Sequence, residues 1–242
     1  MVKRERPRFK DFTKKEVLNI VITALILGFL YSWNYDANNW NEVIISFLQV
    51  TFFVLISVLV HQFGHKFASQ LKGLKTEYKL QPLAIMVAVY MTLLSKGKMI
   101  FYALGSIEFD LKHKSGFNRK IAMPHTDEMG LISLAGPWAN LAFALLLKIF
   151  GPLILKNDSW IYLSDINAWM SVYHLIPIPN LDGVKALYYN KVVWLITFIT
   201  SLITLLLLPY AQLKTTLYFI ILIIVVTVIY AMKFEKDLGI KV

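Results

Sequence analysis

Runs of about 17 or more apolar residues recur along the chain, each long enough to cross a bilayer as one helix. No other feature narrows the fold so far. A backbone inside hydrocarbon must satisfy its own hydrogen bonds, so only helices and closed barrels can span, and runs of this length read as helices. Six spans are expected: about Val17 to Trp33, Val43 to Ala68, Met129 to Leu155, Trp160 to Ile176, Val192 to Leu208 and Thr216 to Met232. Hydrophobic residues make up 57% of the chain and its mean hydropathy is +0.58. An ordinary soluble domain holds about 45–50% apolar residues. The expectation is an all-α polytopic membrane protein, with residues 1–242 forming a single membrane domain and no separate soluble module.

The formal net charge of +10 follows the spans rather than a nucleic-acid surface. Lys3, Arg4, Arg6, Arg8, Lys10, Lys14 and Lys15 precede the first run, and Lys66, Lys72, Lys75 and Lys79 mark one end of the second. The loop between them holds Asp36 and Glu42 and no basic residue. With Lys96 and Lys98 counted as inner, all of the 25 Lys and Arg except Lys148, Lys156 and Lys214 fall on one side. This positive-inside bias places both termini in the cytoplasm and leaves no charge that needs a nucleic-acid partner. The first run reads as a retained anchor, because Tyr31-Ser32-Trp33-Asn34 offers no small-residue cleavage site. There is no cysteine, so a metal would have to be held by imidazole and carboxylate.

Residues 80–111 break the pattern. Pro82, Lys96-Gly97-Lys98 and Gly105 interrupt the apolar sequence, and Val87, Val89, Tyr90, Ile100, Phe101, Tyr102 and Ile107 favour strands. A re-entrant or β-hairpin element after the second span is expected; two short helices that cross and return are the alternative. Non-helical backbone at such depth must be buried in protein or line a wet cavity.

The polar residues with chemical potential are few. His61 and His65 lie four apart near the inner end of the second span, so a helix puts both on one face. Imidazoles in a span are costly, and a pair at this spacing is either a packed hydrogen-bonded feature or a metal grip. The usual zinc-hydrolase motif is H-E-x-x-H, with the glutamate as general base; here the sequence is His61-Gln62-Phe63-Gly64-His65. Asp182, in Pro177-Ile178-Pro179-Asn180-Leu181-Asp182-Gly183, comes at a similar depth after the fourth span and has the chemistry of a third ligand. Taken alone, that heptapeptide reads first as an ordinary turn at a helix end. Asn167, Ser171 and His174 share a face of the fourth span, where packing or cavity lining is expected.

The chain resembles the site-2 proteases, zinc intramembrane proteases that carry a histidine motif on one core helix and an Asp-Gly motif, often Pro-x-Pro-x-Leu-Asp-Gly, on another. Members commonly show an Ala-Gly-Pro-x-x-Asn segment between the two, matched here by Ala135, Gly136, Pro137 and Asn140. The three motifs occur in the family's order. The resemblance covers roughly residues 43–190 as a protease-like core, leaves 191–242 as two C-terminal spans, and looks like a minimal, archaeal-type member. It implies that His61, His65 and Asp182 bind Zn2+ and that Asn140 contacts substrate backbone or the developing oxyanion; helix packing is the alternative for Asn140. It further implies a membrane-embedded site near the cytoplasmic face, with lipid and the transmembrane helix of a protein substrate as partners. Part of 80–111 could offer an edge strand to an unwound substrate.

Gln62 stands where the resemblance implies the general-base glutamate. A glutamine keeps the shape and the hydrogen bonds but cannot accept a proton at neutral pH. Two histories fit: a deliberate replacement in an active protease, which the intact remainder of the motifs favours, or a natural pseudoprotease that binds membrane helices without cutting them. A divalent-metal transporter is a third reading. It gains no support from the outer halves of the second and third spans, which hold no His, Asp or Glu.

Overall fold

The computed structural model describes residues 12–33, 40–109, 126–154 and 158–207. The expected sixth span, the basic N-terminal segment, His113 and His125 lie outside them. Helix α1 (Lys14–Ser32) starts with a complete capping box, in which the Thr13 hydroxyl accepts from the Glu16 N–H and the Glu16 carboxylate accepts from the Thr13 N–H. Helix α2 (Trp40–Leu71) is the long central element. It is followed by β1 (Thr76–Leu80), α3 (Pro82–Leu94), β2 (Gly105–Phe109), α4 (Thr126–Ile154), α5 (Ser159–Leu175), α6 (Asp182–Tyr189) and α7 (Lys191–Leu207).

Helix α2 packs against α1 on one side and against α4 and α5 on the other, while α4 also meets α6 and α5 meets α7. The main core joins Ile20, Ala24 and Leu27 of α1, Val50, Val54 and Val58 of α2, the 100–104 segment, and Ile166, Met170 and Tyr173 of α5. Large apolar side chains point the other way along α1, α2 and α3, among them Leu18, Phe29, Ile45, Phe52, Met86 and Tyr90. A water-facing surface of this kind would be costly; a lipid-facing one is what an integral membrane protein presents.

Among the described residues, three helices are long and apolar enough to cross a membrane: α1, α2 and α4. The expected fourth and fifth spans appear as α5 and α7, at 17 residues each, and α5 carries Ser164, Asp165, Asn167, Ser171 and His174. Length and polarity leave α5 short of that standard; α7 is apolar and is described only as far as Leu207.

The segment after α2 differs from the expectation in its details. Val87, Val89 and Tyr90 are helical, not extended. Pro82 occupies the first turn of α3, where its fixed φ suits a helix and its missing N–H costs nothing. Ala84, Ala88 and Thr92 then form a narrow buried stripe at helical spacing. Strand β1 begins before residue 80 and pairs antiparallel with β2, Tyr78 opposite Ile107, so a helix and a buried irregular stretch separate the two strands. Ile100 and Tyr102 are not in a strand at all. The turn at residues 95–98, with Lys96 and Gly97 at φ 53° and 80°, brings Lys98 into a cavity of about 450 Å³ shared with Tyr31, Trp169 and Tyr173. Tyr31 is at the opposite end of α1 from Lys14 and Lys15, so Lys98 does not belong with the basic residues on their side.

Both outer edges of the two-stranded sheet are engaged. The Tyr78 N–H donates to Glu16 Oε1 at 3.0 Å and its carbonyl accepts from Asn19 Nδ2 at 3.1 Å, which closes β1 against α1. In an antiparallel pair, a residue whose main chain faces outward lies opposite another that does the same. Ile107 accordingly turns its carbonyl away from β1, where Lys185 Nζ donates to it at 2.7 Å.

Candidate metal centre

Helix α2 buries its polar turn completely: His61, Gln62 and His65 are 1%, 1% and 0% exposed. Two glycines let α4 come close enough to cover it. A Cβ on Gly64 would strike the Ala135 carbonyl and Ala139, and a Cβ on Gly136 would run into His65 Nε2 and His61 Nε2. The α4 backbone thus lies directly over the ring nitrogens. From the turn of α4 that precedes Gly136, the Ile132 carbonyl accepts from His65 Nδ1 at 2.7 Å.

Asp182 arrives from the other side. After α5 the chain makes tight turns, with Ile178 N–H donating to Ile176 O and Leu181 N–H to Ile178 O, and with Asn180 at φ 70°. Gly183 then packs against the carbonyls of Leu175 and Ile176 so closely that a Cβ would clash. The loop folds back on the end of α5 and presents Asp182, 0% exposed, as the first residue of α6.

The three expected ligands meet. His65 Nε2 lies 2.9 Å from His61 Nε2, and both lie 3.3 Å from Asp182 Oδ2. Zinc at about 2.0–2.1 Å from tetrahedral ligands sets them about 3.3 Å apart. The triangle therefore has the dimensions of one face of a zinc tetrahedron. The tautomer agrees: with Nδ1–H of His65 committed to a carbonyl, its neutral ring presents a bare Nε2 toward the cluster. The space a Gly136 Cβ would fill lies against the same nitrogens. Donor set, spacing and room all fit a divalent ion.

The surrounding polar atoms are unevenly satisfied. Both amide atoms of Gln62, both amide atoms of Asn140, His61 Nδ1 and Asp182 Oδ1 are buried with no hydrogen-bond partner among the described residues. Each such atom costs about 1–3 kcal/mol. Asn140 is 0% exposed, and its amide makes no hydrogen bond to a neighbouring helix among the described residues.

Two site residues escaped sequence reasoning. His174, expected to pack or line a cavity, sets its Nδ1 3.0 Å from Asp182 Oδ2 and its ring 4.0 Å from that of His61. Its neighbours on the same face do pack: Asn167 donates to Ser57 Oγ and Ser171 to the Pro137 carbonyl. Lys185 places Nζ 3.6 Å from Asp182 Oδ1 and 2.9 Å from Ser106 Oγ, so one ammonium links the carboxylate to β2. The available signal was the i,i+3 spacing from Asp182 on a short helix, which puts Lys185 beside the carboxylate.

No family model matches the chain, and no solved structure matches it. The chain is 24% identical over 189 residues to "Putative zinc metalloprotease MJ0611" of Methanocaldococcus jannaschii, an overlap of 76% of this chain and 90% of the relative. It is 32% identical over 154 residues to "Putative zinc metalloprotease Rip2" of Mycobacterium tuberculosis, covering 55% of this chain. The overlap takes in about half of the length of Rip2, 53%. Relatives from an archaeon and a bacterium thus carry zinc-metalloprotease names.

Proposed function

We propose that the chain is a zinc-dependent intramembrane endopeptidase of the site-2 type, impaired in its present sequence by Gln62. The observation that carries this reading is the buried triangle of His61, His65 and Asp182 on an apolar helix, with spacing that suits zinc. The names of the relatives supply the metal and the reaction class. His61, His65 and Asp182 hold the ion, and zinc supplies Lewis-acid polarisation of water and of the scissile carbonyl. Gln62, on the same buried turn and with both amide atoms unpartnered among the described residues, would hydrogen-bond reacting groups but could not take a proton. Asn140 offers a free donor and a free acceptor, the complement of a peptide group. The substrate is a transmembrane segment of a membrane-anchored protein, cut close to the cytoplasmic face.

Replacing Gln62 with Glu tests this. Cleavage of a membrane-embedded peptide should rise by about 10²–10⁴-fold, with zinc content unchanged. A folded, zinc-loaded variant that cleaves nothing would favour the second reading, a pseudoprotease that binds membrane helices without cutting. The two unpartnered amide atoms of Gln62 support that alternative, since a buried carboxamide is suited to holding a peptide backbone.

Cleavage needs an extended backbone, and the outward edge of β2 is where one would pair, in place of Lys185 at the Ile107 carbonyl. In the Gln62→Glu background, Ile107→Pro should abolish cleavage while zinc stays bound; undiminished cleavage removes this part of the proposal.

A further inference from the structure

We propose that His174 is a positioning residue that holds Asp182 in the orientation needed to ligate the metal, without itself being a ligand. The inference rests on the metal-centre reading above and deepens it. Asp182 is delivered by a turn of irregular backbone, and the contacts described for its carboxylate come from side chains of α2, α5 and α6. Of the groups around the carboxylate, His174 makes the shortest contact, Nδ1 to Oδ2 at 3.0 Å.

Three details separate His174 from the ligand pair. His61, His65 and Asp182 bring their ligand atoms within 4.8 Å of one another, a set that His174 does not join. His61 and His65 both aim Nε2 at the carboxylate, whereas His174 aims Nδ1. His174 also comes from α5, the helix that leads directly into the Asp182 turn, so it ties the two ends of that turn together. Its N–H steadies Asp182 much as the Ile132 carbonyl steadies His65, but through Oδ2, the same oxygen that faces His61 and His65, which can accept a hydrogen bond while it ligates. Eight residues separate His174 from Asp182, too far for any helical repeat, so the contact is made by folding of the turn.

The test compares two substitutions in the full chain, purified in detergent or nanodiscs. Asparagine keeps a donor nitrogen near the position of Nδ1; leucine keeps the volume and removes the donor. Zinc affinity is read by competition with a chromophoric chelator, and the number of bound imidazoles by X-ray absorption. His174→Leu should weaken zinc binding by about 10–100-fold, and His174→Asn by less than about tenfold. The parent chain should show two imidazoles on zinc, and His174→Asn should still show two. Leucine binding zinc as tightly as the parent would overturn the proposal, as would asparagine binding as weakly as leucine, or a third imidazole in the parent. His61→Ala is the control for the site. If the parent holds no zinc, or His61→Ala holds as much as the parent, the metal-centre reading itself fails and this inference falls with it.

Discussion

His65 and Lys66 are neighbours in sequence, and they face two different buried polar centres. Lys66 Nζ pairs with Glu16 Oε2 at 2.9 Å and donates to the Thr76 carbonyl at 2.5 Å, while the other Glu16 oxygen accepts from the Tyr78 N–H. Glu16 is also committed to the capping box of α1, so this centre staples α1, α2 and β1 together with its charges matched. The centre around His65 holds a carboxylate against three imidazoles and, at 3.6 Å, the Lys185 ammonium, and leaves the amides of Gln62 and Asn140 and His61 Nδ1 without hydrogen-bond partners among the described residues. Both centres are buried at the same end of α2, so burial does not distinguish them. Satisfaction does: the closed centre spends its hydrogen-bonding capacity on the fold, and the open one keeps it for a ligand.

The largest effect should come from the open centre. His61→Ala removes one of the three proposed ligands, and zinc should fall from about one per chain to near zero, measured by elemental analysis after gel filtration. The parent chain should in turn gain about 4 kcal/mol of apparent stability at a thousandfold excess of zinc over its Kd, and His61→Ala should gain none. Zinc retained by the variant at parental levels would erase the distinction between the two centres.

Next comes the closed centre. Lys66→Met removes the cation that pairs with buried Glu16 among the described residues, a loss of about 3–5 kcal/mol in thermal unfolding. Adding Glu16→Gln should recover part of it. The folded fraction should still bind zinc, because neither residue touches the ligand triangle. Loss of zinc together with stability would show that the two centres act as one.

The smallest effect sharpens the contrast. Asn140→Leu removes two orphaned polar atoms, and the metal-free chain should become more stable by about 1–3 kcal/mol. In a Gln62→Glu background the same change should lower cleavage. A destabilised Asn140→Leu chain would mean that Asn140 serves the fold and belongs with the closed centre.

Much of this arrangement was legible in the sequence. The apolar runs located α1, α2, α4, α5 and α7 to within a few residues at most ends, because length and hydropathy decide helices in a membrane setting. The spacing of His61 and His65 needed only helix geometry. Asp182 required the motif Pro177 to Gly183, since nothing local says that a turn will reach across a bundle. What stayed hidden depended on tertiary closure. Val87, Val89 and Tyr90 have strand propensity, and the helical start set by Pro82 together with the small stripe Ala84, Ala88 and Thr92 overrode it. The contact of His174 with Asp182 exists only once residues 176–181 fold back, and that of Lys185 with Ile107 only once β2 has paired. Neither has a periodicity to reveal it.

Gly136 carries a consequence for how such a chain can diverge. The ligands tolerate little change for chemical reasons: a histidine or aspartate can be exchanged only for another donor. Gly136 is restricted for a spatial one, since any side chain there would occupy the volume next to both ring nitrogens. In a saturation library selected for metal retention, this position should therefore tolerate neither alanine nor serine, while Trp138, two residues on and 40% exposed, accepts many replacements. The room beside the ring nitrogens is bounded by main chain at Gly136, so a side chain such as that of residue 62 could be exchanged far more readily than that room could be enlarged or shrunk.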